Sequence, residues 1–180
     1  MKKNLGPKLA VCPLPVFLVA TYDREGKPNV MTVSWGGVCC SDPPCIAISV
    51  RKATHTHHAL MERGAFTVNL PSREHAEAAA YFGRASGRDE DKFKKTGMTP
   101  VRSRFVDAPY IDEMPVVLEC RITQISELGS HTHFVGQVLN AMTDDGIRED
   151  IPLIEQCGPI VFGMGRYYGI GDMIEPGSPV

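Results

Sequence analysis

Glycine and proline set the grain of this chain. Seventeen glycines and fourteen prolines cut its 180 residues into runs too short for long helices. The stretches between the cuts are apolar or alternating, which favours strands. Val16 to Thr21 is a continuous apolar run, ended by the turn Asp23-Arg-Glu-Gly26, where glycine can take positive φ. Asn29 to Val38 reads as the next strand, so the two predict a hairpin. Ser41-Asp-Pro-Pro44 forces a loop, because neither proline donates to a ladder. Cys45 to Val50 reads as a third strand and Phe66 to Asn69 as a fourth. Between them, Thr56 to Arg63 reads as a short helix closed by Gly64.

Further along, Ser72 can cap a helix over Arg73 to Phe82, which is rich in alanine. Asp89 to Thr96 suggests a second short helix, stopped by Gly97. Pro100 to Pro115 has no regular pattern. Val116 to Leu128 and His131 to Met142 form a long alternating pair joined by Gly129-Ser130. Asp144-Asp-Gly146 reads as a turn, and Ile160 to Met164 as a last strand. Helices gathered between two groups of strands predict a mainly β fold: an antiparallel, Greek-key-like barrel with helical insertions. No repeat or linker divides the chain, so residues 1–180 are expected to be one domain.

A charge of −2 supplies no field for nucleic acid or an acidic membrane. No run reaches the roughly 18 apolar residues of a spanning helix. Met1-Lys-Lys resembles the start of a signal peptide, but Pro13 and Pro15 break the apolar run behind it. The six cysteines show no CxxC pair or regular spacing, which predicts buried free thiols in a reducing, cytoplasmic setting.

Chemistry concentrates in two stretches. Ser49-Val-Arg-Lys-Ala-Thr-His-Thr56 carries a strand into a helix, and a helix start offers unpaired N–H groups and the positive end of its dipole. Arg51, Lys52, Thr54 and Thr56 crowd that junction. For either threonine alone, a plain N-cap weighs more; the joint pattern brings an anion site level with it. Lys92 could add a distant positive charge, although a lone lysine is more often surface. In the other stretch, Asn29-Val-Met-Thr-Val-Ser-Trp35, Asn29 could pair with a ring edge of alternating carbonyl and N–H groups. Regular alternation puts Thr32 and Ser34 on one face and Met31, Val33 and Trp35 on the other. Trp35 could stack on a flat ring or serve the core. His131 and His133 share a face, where one could sit beside a ring or both be exposed. A metal site of His55, His57 and His58 with Cys39, Cys40 and Cys45 matches no standard spacing. Gly163-Met-Gly165 is followed by Arg-Tyr-Tyr-Gly169, one residue off a dinucleotide fingerprint and without the helix that motif needs.

Taken in order, these pieces resemble the flavin reductase-like family, and within it the flavoredoxins. The resemblance is carried by Pro15-Val-Phe-Leu-Val, Gly26-Lys-Pro-Asn-Val-Met-Thr-Val-Ser-Trp35, Pro43-Pro44, Ser49-Val-Arg51 before Thr54-His-Thr56, Gly64-Ala-Phe-Thr-Val-Asn69, Asp91-Lys-Phe93, Gly129-Ser-His131 and Phe134-Val-Gly136. It implies a split β-barrel that binds FMN without a covalent bond, as a homodimer with the site near the subunit contact. By position, it implies that Asn29, Met31, Thr32 and Trp35 lie beside the ring. It places Ser49, Val50, Arg51, Thr54, His55 and Thr56 along the ribityl and phosphate tail, with Lys92 reaching that tail and His131 a ring neighbour. Ser130 departs from the Asp common in relatives. The implied activity is an FMN-dependent oxidoreductase that takes electrons, as from NAD(P)H, and passes them to a flavin, metal or protein acceptor. The alternatives are a carrier that exchanges electrons with a redox partner protein, and a plain ligand- or metal-binding protein.

Overall fold

The computed structural model describes residues 1–147 and 154–174. Its strands, in chain order, are β1 (Leu14–Pro15), β2 (Phe17–Tyr22), β3 (Pro28–Val33), β4 (Gly36–Ser41), β5 (Pro44–Arg51), β6 (Ala65–Leu70), β7 (Pro100–Arg102), β8 (Pro109–Ile111), β9 (Val116–Leu128), β10 (His131–Thr143), β11 (Ile160–Gly163) and β12 (Arg166–Gly169). Helices α1 (His55–Arg63), α2 (Ala76–Arg84) and α3 (Lys92–Thr96) lie between β5 and β7, and a short turn of helix, α4 (Ile154–Cys157), precedes β11.

Seven strands form the main sheet in the order β3-β2-β6-β9-β10-β5-β4. Its two outermost strands, β3 and β4, are neighbours in sequence, separated by Ser34 and Trp35 alone. Two residues cannot bridge a flat seven-stranded sheet, in which adjacent strands are about 4.8 Å apart. The sheet must therefore curl until its edges approach each other, and the Ser49 N–H donates to the Trp35 carbonyl at 2.8 Å, which extends the β4–β5 ladder up to the crossing. This is the antiparallel split barrel expected from the sequence. The expected single strand Asn29 to Val38 is corrected to two, because the chain leaves one edge after Val33 and joins the other at Gly36.

Burial on both faces explains the unbroken apolar run of β2. Phe17 and Val19 point into the barrel with Ile46, Ile48, Phe66, Val68 and Phe134. Leu18 and Ala20 point outward, beneath Ala79 and Phe82 of α2 and Phe93 of α3. Helices α2 and α3 are thus a second layer over β2 and β3, overhanging the edge where the groove lies, whereas α1 packs Leu60 into the barrel interior.

Local chemistry sets the helix ends. Thr54 caps α1, accepting from the His57 N–H, and Gly64 closes it at φ 64°. The helix expected over Arg73 to Phe82 begins instead as a 3-10 turn, Arg73–His75, and runs as α-helix from Ala76 to Arg84. Asp91 caps α3, so the helix expected from Asp89 begins at Lys92. The stretch without a pattern holds the small hairpin β7–β8. Gly163-Met-Gly165 is the turn between β11 and β12, with Met164 and Gly165 at positive φ. Cys45, Cys120 and Cys157 are buried, whereas Cys12, Cys39 and Cys40 are exposed, which corrects the expectation of uniformly buried thiols.

Gly136 marks a shift in the β9–β10 register. A Cβ there would lie 2.6 Å from Phe66 Cζ and 3.1 Å from Cys120 Cβ, deep in the barrel core. Gly136→Ala is expected to cost about 1–3 kcal/mol through overpacking, read from the urea midpoint.

Candidate functional site

A two-lobed groove runs along the barrel seam under the helical layer. The wide lobe, about 530 Å³, is lined by Met31, Thr32, Val33, Ser34 and Trp35 where the chain crosses between sheet edges. Ser49, Arg51, Ser130 and His131 complete it from β5 and the β9–β10 turn. The narrow lobe, about 230 Å³, is lined by Ala53 to Thr56 at the start of α1, by residues 82–87 at the end of α2, and by Lys92. Met31, Thr54 and Gly83 line both lobes, so the two are continuous.

In the wide lobe, the single tryptophan is exposed rather than core, and its ring stacks on His131 with centroids 4.6 Å apart and planes 27° from parallel. His131 Nδ1 is in turn 2.9 Å from the Ser130 hydroxyl. Thr32 donates to the Ala79 carbonyl, tying β3 to α2. Ser49 and His133 bond at 3.0 Å, which holds the floor between β5 and β10. Flat apolar walls with a rim of polar groups suit a planar heteroaromatic ring.

The narrow lobe is built for a negative charge. It faces the N-terminus of a nine-residue helix, where unpaired N–H groups and the dipole favour anions. Lys92 adds a buried cation to it. Its side chain is 5% exposed, its Nζ donates only to the Phe82 carbonyl at 3.3 Å, and among the described residues no carboxylate pairs with it. It also sits in the first turn of α3, where the dipole disfavours a cation. Burial pulls its pKa down to about 8, partly offset by Glu90. A buried amine without a counter-ion is costly. An anion in the lobe would supply the missing partner.

The candidate residues are redistributed by the structure. Asn29 does not join Trp35; it is buried and donates to the Thr56 hydroxyl at 2.8 Å, behind the narrow lobe. Arg51, expected along the tail, lines the wide lobe. The Val50 side chain faces the barrel core at 1% exposure, so only its main chain can serve a ligand. Thr54 both caps α1 and lines the groove, uniting two readings that competed in the sequence. His55 lines the narrow lobe with Nε2 3.8 Å from Asp23. The three neighbouring histidines diverge: His57 is buried against Thr132 and His58 is exposed, and the described residues form no metal-binding cluster.

Sequence reasoning missed Gly83-Arg-Ala-Ser-Gly87, the exit of α2 that walls the narrow lobe. The available signal was a cation and a hydroxyl between glycines just past an alanine-rich helix. Gly87 has a steric reason: a Cβ there would overlap Asn29 Oδ1 and lie 2.9 Å from His55 Cδ2.

His57 couples this region to pH. Its Nε2 lies 2.8 Å from the Thr132 hydroxyl, its Nδ1 is buried without a partner, and burial holds its pKa below the ordinary 6.5, with His58 acting in the same sense. The folded chain therefore binds fewer protons at this site than the unfolded chain. The resulting stability is present above pH 6.5 and is lost as pH falls towards the lower folded value. The urea midpoint is expected to drop between about pH 7 and pH 5, and to drop less in His57→Gln.

Comparison with known proteins agrees with the geometry. The model of the flavin reductase like domain matches residues 9–171. The chain belongs to that family. The structure of flavoredoxin from Desulfovibrio vulgaris (Miyazaki F) superposes with a TM-score of 0.92 at 42% identity, covering 98% of this chain and 97% of that one. Flavoredoxin from Methanosarcina acetivorans gives 0.91 at 26% identity, covering 98% and 95%. A protein of Archaeoglobus fulgidus is 33% identical over 140 residues, 78% of each chain. Membership in this family supports flavin-related electron transfer as the work of the fold.

Proposed function

We propose that this flavin reductase-like protein binds FMN in the two-lobed groove, with the phosphate in the narrow lobe and the ring in the wide one. The observation that carries this reading is Lys92, a buried ammonium without a counter-ion facing a helix N-terminus. The flavoredoxin likeness supports FMN as the flavin. Thr54, Thr56 and the first N–H groups of α1 would hold the phosphate with Lys92, and Asn29 would keep the Thr56 hydroxyl oriented. Trp35 and His131 would flank the ring.

Bound FMN supplies the electron chemistry; the chain supplies position, charge and access. His131 stands beside the ring lobe, where a proton on its imidazole would stabilise negative charge. Arg51 adds a fixed cation to the same lobe. The main reading is an oxidoreductase that draws electrons from NAD(P)H and passes them to a flavin, metal or protein acceptor. The flavoredoxin likeness also favours a carrier that exchanges electrons with partner proteins. The exposed Trp35 and Val38 at the barrel seam support a homodimer with the site near its contact.

Anaerobic mixing separates the two roles. Loss of yellow colour within seconds of adding NADH or NADPH is expected for the reductase. Colour that persists with both, but fades with a reduced low-potential electron-transfer protein, establishes the carrier instead.

A further inference from the structure

The tip of the β4–β5 hairpin lies outside the groove and holds three of the six thiols, Cys39, Cys40 and Cys45. β4 is an edge strand, and Asp42-Pro43 turns it into β5. Cys40 and Cys45 are direct cross-strand partners, one pair in from the turn. Directly opposed antiparallel residues have Cα atoms about 4.5–5.5 Å apart, inside the 4.4–6.8 Å window of a disulfide. Cys39 has no opposite number, because the register shifts between Val38 and Cys40. Such a bulge also increases local twist.

The two opposed thiols differ in access. Cys40 is exposed and its sulfur donates to the Asp42 carbonyl at 3.4 Å, which keeps it at the turn. Cys45 is buried, at 8% exposure. Burial raises its pKa, with the neighbouring thiols Cys40 and Cys39 adding to the effect. One thiol is therefore open to attack from solution, and the other lies behind it as a resolving partner.

We propose that Cys40 and Cys45 form a reversible thiol–disulfide modification site, oxidised by a small-molecule disulfide such as oxidised glutathione. The Cys40 thiolate attacks one sulfur of the reagent, forms a mixed disulfide and expels one small thiolate. Cys45 then gives up its proton and its sulfur attacks the Cys40 sulfur, expelling the second small thiolate. One disulfide is made in the protein and one is consumed in the reagent. The two protons lost by Cys40 and Cys45 leave on two small thiols.

Reduced protein is incubated with oxidised glutathione, alkylated and digested with trypsin. All three cysteines lie in the peptide ending at Arg51, so its mass and fragment ions assign the bridge. The wild type is expected to lose two alkylatable thiols, with that peptide lighter by two hydrogens and Cys39 still free. Cys39→Ser is expected to keep the bridge, whereas Cys40→Ser loses it. Both replaced thiols are exposed, so neither variant disturbs the core. Glutathione adducts without a bridge in the wild type would overturn the proposal, as would a bridge that survives in Cys40→Ser.

Discussion

Lys92→Met is expected to make the flavin-free protein more stable and its hold on FMN weaker, opposite signs from one substitution. The folded chain carries Lys92 as a buried cation with a pKa near 8, down from 10.5. That shift corresponds to a destabilisation of roughly 3 kcal/mol at neutral pH relative to an exposed lysine. Methionine fills the same space without charge. The gain should therefore be a sizeable part of that figure, read as a higher urea midpoint. Loss of a charge-assisted phosphate bond should weaken FMN by about 1.5–3 kcal/mol, or roughly ten- to more than a hundredfold.

The pH dependence carries the same signature. Because the folded-state pKa is lowered, the unfolded chain binds the extra proton between pH 8 and 10.5, and stability rises with pH across that window. The advantage of Lys92→Met in stability should shrink from pH 8 upward. FMN affinity should do the reverse: in the wild type it falls by up to about tenfold per pH unit above 8, as the free protein loses the charge the phosphate needs. In Lys92→Met this dependence is expected to vanish. Denaturation and binding titrations of both proteins between pH 7 and 10 check each part.

Gly87→Ala should be the most damaging single methyl group near the groove. The new Cβ would overlap Asn29 Oδ1 and crowd His55 Cδ2. Asn29 is buried and tied to Thr56, so it has no free space to yield. Relief requires moving either the amide or the α2 exit, and both disturb the narrow lobe. The expected cost is about 1–3 kcal/mol in stability and at least a tenfold loss of FMN affinity. Gly146→Ala, where a Cβ meets nothing within 4 Å among the described residues, is the control and should change neither. Equal FMN affinity in Gly87→Ala and the control would separate Asn29 and Thr56 from the phosphate site.

Much of the fold was legible because local signals agreed with it. The Thr54 cap, the Gly64 and Gly97 stops and the long β9–β10 pair are all settled by nearby residues. The break at Ser34-Trp35 was not, since strand-forming residues stand on both sides of it. Only closure of a seven-stranded sheet forces the chain to cross there. The same crossing explains why alternation failed to sort the site: Met31, Thr32, Ser34 and Trp35 all line one lobe although their numbers alternate. In β5 regular alternation holds, and it sets Val50, expected along the tail, apart from Ser49 and Arg51, which reach the groove while its own side chain fills the core.

Lys92 was placed at the tail by the resemblance alone, and its burial had no signal in the residues around it. A lysine in a short helix carries no mark of burial in the sequence, and its environment comes from α2 and β3 folding over it. The Gly83–Gly87 wall was missed likewise, because residues past a helix end acquire a role only when that end is placed against α1.

The most direct measurement uses the protein's single tryptophan. Trp35 lines the wide lobe, so a flavin ring bound there must quench its emission. FMN is titrated at neutral pH into flavin-free protein, with riboflavin, which has the same ring and no phosphate, in parallel. Saturable quenching by FMN is expected, with riboflavin at least tenfold weaker and that gap mostly closed in Lys92→Met. Equal affinity for the two flavins, or FMN binding that leaves Trp35 emission unchanged, would contradict a phosphate at Lys92 and a ring at Trp35.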